Sequence, residues 1–164
     1  MKKIIGIGEY GRSNKEIDEL ETHALGTCVG VIAISKTGRE IAMAHVALPY
    51  KDINPKEALK KPYKYADTVV DYIVDDMKKN YNLEKKDLKI LLYGGAVSGR
   101  EIDTFKIGEK NISILEQILK NRHIYYEKKS VGGNCARTVI VKKGGLVKLK
   151  SIPIMGRLKP CKEE

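Results

Sequence analysis

Cys28 and His45 are the two side chains of this sequence that together could supply a nucleophile and its base. Hydrolysis by a cysteine needs a thiolate with a proton acceptor in hydrogen-bond reach. A free thiol titrates near ~8.5, so an adjacent imidazole is the usual activator. The local pattern makes the pairing testable. Cys28-Val29-Gly30-Val31-Ile32-Ala33-Ile34 is an apolar, β-branched run of strand length. Ser35-Lys36-Thr37-Gly38-Arg39 carries turn chemistry, and Glu40 to Leu48 is a second apolar run ended by Pro49. Together they predict an antiparallel hairpin.

Three simple registers are open. A loop of Ser35 to Gly38 sets Cys28 directly opposite His45, with Cβ atoms about 4.5–5.5 Å apart. A loop of Thr37-Gly38 sets His45 opposite Gly30 and diagonal to Cys28, on the same face at about 7–8 Å. A three-residue loop separates them onto opposite faces unless a bulge intervenes. Cys28 follows Gly26-Thr27 where loop becomes strand, and Gly26 allows a sharp turn there. Amide N–H groups at that corner suit an oxyanion. Thr22 offers a hydroxyl to orient the imidazole through the ring nitrogen that does not face sulfur. The plainer alternative is that small residues and a lone histidine simply fill a core. Spacing alone leaves both open.

The elements that must position these residues read as α+β. Lys3 to Gly8 is a short strand, and Gly11 to Glu21 is polar and expected to be a loop. Asp52 to Pro62, with its prolines and lysines, is expected to be a surface loop. Ala66, Val70, Ile73 and Met77 recur at helical spacing within Lys64 to Lys79. Leu88 to Tyr93 is a buried strand followed by Gly94-Gly95. Ile112, Leu115, Ile118 and Leu119 share one face of a helix over Gly108 to Arg122. Ile124 to Lys129 is a strand. Val139 to Lys143 and Leu146 to Lys150 form a hairpin about Gly144-Gly145, which fits a primed turn. Both hairpin strands around Cys28 and His45 are apolar on both faces, so the sheet is covered on both sides. One domain over residues 1–154 is expected, with a polar tail over 155–164.

The composition narrows the function. The chain has 164 residues, 31 Lys plus Arg, 21 Asp plus Glu and a net charge of +10; 42% of it is hydrophobic and 32% charged. That is the balance of a folded globule rather than a disordered chain. The start reaches Glu9 too soon for a secretory signal, and a cytoplasmic protein is expected. Cys28, Cys135 and Cys161 are an odd, sparse set, so free thiols are expected. The absence of Cys-x-x-Cys and His-x-x-x-His leaves no metal expected. The lysine excess is spread along the chain, without the interleaved aromatics of a nucleic-acid binder, which excludes that class. A solvated basic surface is the plain reading of the charge, and attraction to an acidic protein partner, fading with salt, is the sharper one.

Several segments in collinear order resemble the CheD family of chemoreceptor glutamine deamidases. They are Leu25-Gly26-Thr27-Cys28-Val29, Met43-Ala44-His45-Val46-Ala47-Leu48-Pro49, Lys64-Tyr65-Ala66-Asp67, Gly94-Gly95-Ala96, Ile107-Gly108-Glu109-Lys110-Asn111 and Val131-Gly132-Gly133-Asn134-Cys135-Ala136-Arg137. The resemblance runs from about Ile4 to Leu149. It implies a layered α/β sandwich with a mixed, largely antiparallel sheet and two main helices, resembling the catalytic domain of cytotoxic necrotizing factor toxins. It implies hydrolysis of receptor glutamines to glutamate and ammonia, with glutamyl methylesterase activity in some members and no cofactor. The family's nucleophile falls on Cys28, its base on His45 and its orienting threonine on Thr22. Gly26, Thr27, Gly94, Gly95 and Asn134 are candidates for oxyanion or substrate contacts, and Asn134 and Arg137 for bracing the wall. Implied partners are chemoreceptor cytoplasmic helices and the CheC phosphatase; a non-catalytic regulator binding either is the competing reading. Val97-Ser98-Gly99 depart from the family pattern. Cys135 falls at a variable family position and is expected to be incidental.

Overall fold

The computed structural model describes residues 1–97 and 105–154. The apolar run after Cys28 becomes strand β4 (Val29–Ser35), in which every residue is buried. Burial on both faces is what a strand without polar alternation requires. β4 lies between β5 (Ile41–Val46) and β6 (Leu88–Gly94) and is antiparallel to both. With β2 (Tyr10–Arg12) and β7 (Tyr126–Val131) they form a five-stranded sheet, order β2-β5-β4-β6-β7, in which β6 and β7 run parallel.

The two faces of that sheet are covered differently. Val29, Val31, Ala33, Ala42, Ala44 and Val46 pack against helices α2 (Ala66–Tyr81) and α3 (Ile107–Asn121), through Val69, Ile73, Met77, Leu115 and Leu119. Ile32, Ile34, Ile41 and Met43 face the other way, onto Leu20, Leu25, Val139 and Val141. These belong to a second, four-stranded sheet of β1 (Lys2–Ile4), β3 (Glu19–Leu25), β8 (Cys135–Lys142) and β9 (Leu146–Pro153). The result is a layered α+β sandwich of helices, mixed sheet and mixed sheet. The expected single sheet is therefore two, because the residue alternation in β4 and β5 serves two interfaces at once.

The structure corrects the sequence reading where polar residues hide regular structure. Gly11 to Glu21, expected as a loop, carries the end of β2 and the start of β3. β2 is a three-residue edge strand, and Glu21 is buried on β3 because its carboxylate meets Lys2 Nζ at 2.9 Å. The expected surface loop over Asp52 to Pro62 contains the short helix α1 (Pro55–Lys60). Asn54 caps it by accepting from Glu57 N, and Pro55 opens its first turn. Helix α2 starts at Ala66 rather than Lys64, after a 3-10 turn over Pro62–Lys64, and ends on Asn82 in the left-handed region. The first strand ends at Ile4 rather than Gly8. The C-terminal hairpin forms as expected about Gly144 and Gly145, both with positive φ.

Cys135, expected as an incidental free thiol, is buried on β8 and disulfide-bonded, whereas Cys28 is free. Cysteine spacing along a chain does not report which thiols the fold brings together. Cys161, the tail over 155–164 and Ser98-Gly99 lie outside the described residues. No helix among the described residues is long and apolar enough to cross a membrane.

Leu115 is fully buried where α3 meets the five-stranded sheet. Leu115→Ala is expected to lower stability by about 2–5 kcal/mol, read from the urea midpoint.

Candidate active site

The β4–β5 ladder decides whether the thiol and the imidazole share a face. Ile34 pairs with Ile41, Gly30 with His45 and Val29 with Val46. Ser35 N donates to Glu40 O at 3.0 Å and Gly38 N to Ser35 O at 2.9 Å, so the connection is Lys36 to Arg39. This is the diagonal register, reached by a four-residue loop displaced by one from the one expected. Cys28 lies two residues before Gly30, one residue outside the ladder, and by strand alternation faces the same side as His45. That face is the seam between the two sheets, where Cys28 packs against the cluster of Ile32, Ile41 and Met43.

Thr22 reaches the seam from the opposite sheet. It lies on β3, fully buried, just before a register shift between Thr22 and Leu25 with Ala24 at φ 53°. Such a bulge re-aims side chains. Thr22 Oγ1 donates to Ile5 O at 2.7 Å and lies 2.7 Å from His45 Nδ1. A hydroxyl has one proton. With that proton on Ile5 O, the oxygen accepts from Nδ1–H. The proton of the neutral ring therefore sits on Nδ1, and Nε2 keeps its lone pair. Nε2 is buried and has no hydrogen-bond partner among the described residues.

Burial also sets the charge states. His45 is 3% exposed, and desolvation holds its pKa below the ordinary 6.5 against the opposing pull of the Ile5 carbonyl and Glu9. Cys28 is half-buried, and desolvation pushes its thiol above the ordinary 9.0, countered in part by the Lys64 ammonium. Lys64 divides its charge, since its Nζ also meets Glu57 Oε1 at 2.7 Å. At neutral pH the pair rests as thiol and neutral imidazole.

The remaining predicted residues divide. Gly94 has φ +109°, and a Cβ there would come 2.2 Å from Cys28 O. Only glycine fits that approach. Gly95 N donates to Cys28 O at 2.8 Å and Ala96 N to Gly26 O at 2.9 Å. Gly94 and Gly95 thus buttress the peptide that carries the thiol, and the Gly95 amide is engaged there. Gly26 has no positive φ, and a Cβ on it would meet nothing within 4 Å, so it leaves the approach to Cys28 open. Asn134 is half-buried in the β7–β8 turn, with its carbonyl taken by Ile154 N at 2.7 Å. Arg137 braces that turn, donating to Ser130 Oγ at 2.9 Å and Gly132 O at 2.8 Å. Gly132 N in turn meets Gly94 O at 2.9 Å.

Sequence reading gave no role to Lys64 beside Cys28 or to Asn111, which is buried on α3. A polar residue among Gly108, Ile112, Leu115 and Leu119 on the buried helix face was the available signal. A cavity of about 610 Å³ opens beside Gly95, between α3 and the β7 end, lined by Val97, Ile112, Val131 and Gly132 among others. Another of about 620 Å³, lined by Lys36, Lys85, Lys86 and Lys89, lies at the far end of β4 and takes no part in this site. Among the described residues no three His, Cys, Asp or Glu side chains converge as metal ligands.

Fold and site together define a layered α+β sandwich with a thiol and a threonine-anchored imidazole on one face of its central sheet. Residues 47–150 match the family described as CheD chemotactic sensory transduction, and the chain belongs to the CheD family. It is 39% identical over 140 residues to the chemoreceptor glutamine deamidase CheD of Thermotoga maritima, covering 85% of this chain and 84% of that protein. It is 34% identical over 137 residues to the probable chemoreceptor glutamine deamidase CheD of Syntrophotalea carbinolica, covering 83% and 85%. It is 34% identical over 123 residues to the protein of that name from Oceanobacillus iheyensis, covering 73% of each.

Nitrogen-15 spectra at neutral pH are expected to show His45 as the neutral Nδ1–H tautomer. Thr22→Val, which strands both Nδ1–H and Ile5 O, is expected to lose that single tautomer and about 1–3 kcal/mol of stability.

Proposed function

We propose that this chain deamidates glutamine side chains on the cytoplasmic helices of chemoreceptors, with Cys28 as nucleophile, His45 as general base and acid, and Thr22 as the residue that orients the ring. The observation that carries this reading is the Thr22–His45 contact of 2.7 Å, which leaves Nε2 proton-free on the face to which Cys28 belongs. Family membership and the names of the relatives support the substrate class.

The chemistry follows from the resting state. Nε2 takes the Cys28 proton as sulfur attacks the carboxamide carbon, so the buried pair becomes charged only as the reaction proceeds. Backbone N–H groups of the Gly26–Cys28 corner are assigned to the oxyanion. The imidazolium protonates the departing ammonia, leaving a glutamyl thioester. His45 then activates water, which releases glutamate and restores the thiol. The open space over Gly26 admits the glutamine side chain, and the cavity beside Gly95 receives part of the receptor helix. The same reading carries a cytoplasmic location, binding to CheC, glutamyl methylester hydrolysis and a fold akin to the cytotoxic necrotizing factor catalytic domain.

Mass spectrometry of receptor cytoplasmic fragments incubated with the protein tests the proposal. Glutamine is expected to become glutamate, and Cys28→Ala is expected to abolish the conversion while leaving receptor binding intact. Unchanged conversion by Cys28→Ala would sink the nucleophile assignment. Since His45 must be neutral and its pKa lies below 6.5, the acid limb of kcat/KM is expected below pH 6.5. A limb above that value in the rate–pH profile would exclude His45 as the base.

A further inference from the structure

The β4–β5 ladder ends at Val29 and Val46. Past that point the two chains part. Ala47 N and Leu48 N both donate to Lys64 O, at 2.8 and 3.1 Å, drawing the chain after His45 toward the start of α2. Cys28 O and Gly26 O accept from Gly95 N and Ala96 N, drawing the chain before Val29 toward β6. The base sits in the next-to-last pair of the ladder, opposite Gly30, whereas Cys28 lies one residue past its end, in the fork, where no β4–β5 ladder bond fixes the thiol's spacing from the ring.

Asn111 closes the fork. Its Nδ2 donates to Thr27 O at 3.2 Å and to Ala47 O at 3.3 Å, one carbonyl on each prong. The side chain is fully buried on the apolar face of α3, and its Oδ1 has no partner among the described residues. A residue kept for stability alone would not leave a buried acceptor unpaired at a position an aliphatic side chain could fill. Gly108, one turn earlier, lets the helix come this close: a Cβ there would meet Ala96 O at 2.2 Å.

We propose that Asn111 is a positioning residue whose amide group ties the segment before Cys28 to the segment after His45 and so fixes the spacing of the thiol from Nε2. The assignment rests on the reading of Cys28 and His45 as nucleophile and base. It gives Asn111 no contact with substrate. Its loss acts on the chemical step rather than on binding.

The test compares Asn111→Leu and Asn111→Asp with the parent in two assays. One is steady-state deamidation of a receptor fragment; the other is alkylation of Cys28 by iodoacetamide, followed on the Cys28 peptide. With the fork released, kcat is expected to fall by about 10–100-fold, with KM within about twofold. Alkylation of Cys28 is expected to rise, because the half-buried thiol is uncovered. Partial unfolding would give the same pair of signs, so both assays are run under conditions in which urea titration shows each variant fully folded. An unchanged kcat, a loss confined to KM, or alkylation at the parental rate would overturn the proposal. If Asn111→Leu does not fold, Asn111→Asp, of equal size but lacking the two donors, decides by the same criteria. Cys28→Ala is run alongside: if it still converts glutamine the dyad reading fails, and the alkylation rates alone judge the clamp.

Discussion

One proton on Thr22 organises the site. Because the hydroxyl spends it on Ile5 O, the oxygen turns a lone pair to His45 Nδ1, and the imidazole is held in one tautomer and one orientation. In the proposed chemistry that single bond separates a base from an inert core histidine. Its partners come from three separate segments: the residue after β1, strand β3 and strand β5. The bond forms only when the two sheets are docked.

The seam imposes a second constraint. A site between two sheets is dry, which raises the cost of charge on either partner and keeps both neutral at rest. The same dryness strengthens whatever dipoles face a developing oxyanion. Cys28 lies at the edge of this seam, half-buried at the mouth of β4, while the ring lies inside it at 3% exposure. In the proposed chemistry, substrate therefore meets sulfur first, and the base works from behind.

Much of this was legible in the residues. The apolar runs about Cys28 and His45 pointed to a hairpin, the periodicity of Val70, Ile73 and Met77 to α2, and Gly144-Gly145 to the last turn, because each depends on local pattern. The register was not legible, since loops of two, three and four residues all fit Ser35 to Arg39. Thr22 on a strand was hidden by its polar neighbours Glu19 and Glu21, the second of which offsets its burial through the ion pair with Lys2. Asn111 stands in a recognisable motif, but its meaning depends on the Thr27 and Ala47 carbonyls, distant in sequence, which no local pattern reports. The disulfide at Cys135 was missed for the same reason.

Ile5 gives the site an unexpected dependence on the first residues of the chain. Its carbonyl is the sink for the Thr22 proton, and its position is set by its own N–H on Glu21 O at 2.7 Å and by a side chain 1% exposed. Peel that segment away and the hydroxyl is free to swing its hydrogen onto Nδ1. The ring would then carry its hydrogen on the far nitrogen, the one that in the proposed mechanism receives a proton from sulfur. The segment that follows the leading strand is thus a tautomer selector, and the chemistry proposed at position 28 is wired to how firmly that segment is laced into the smaller sheet.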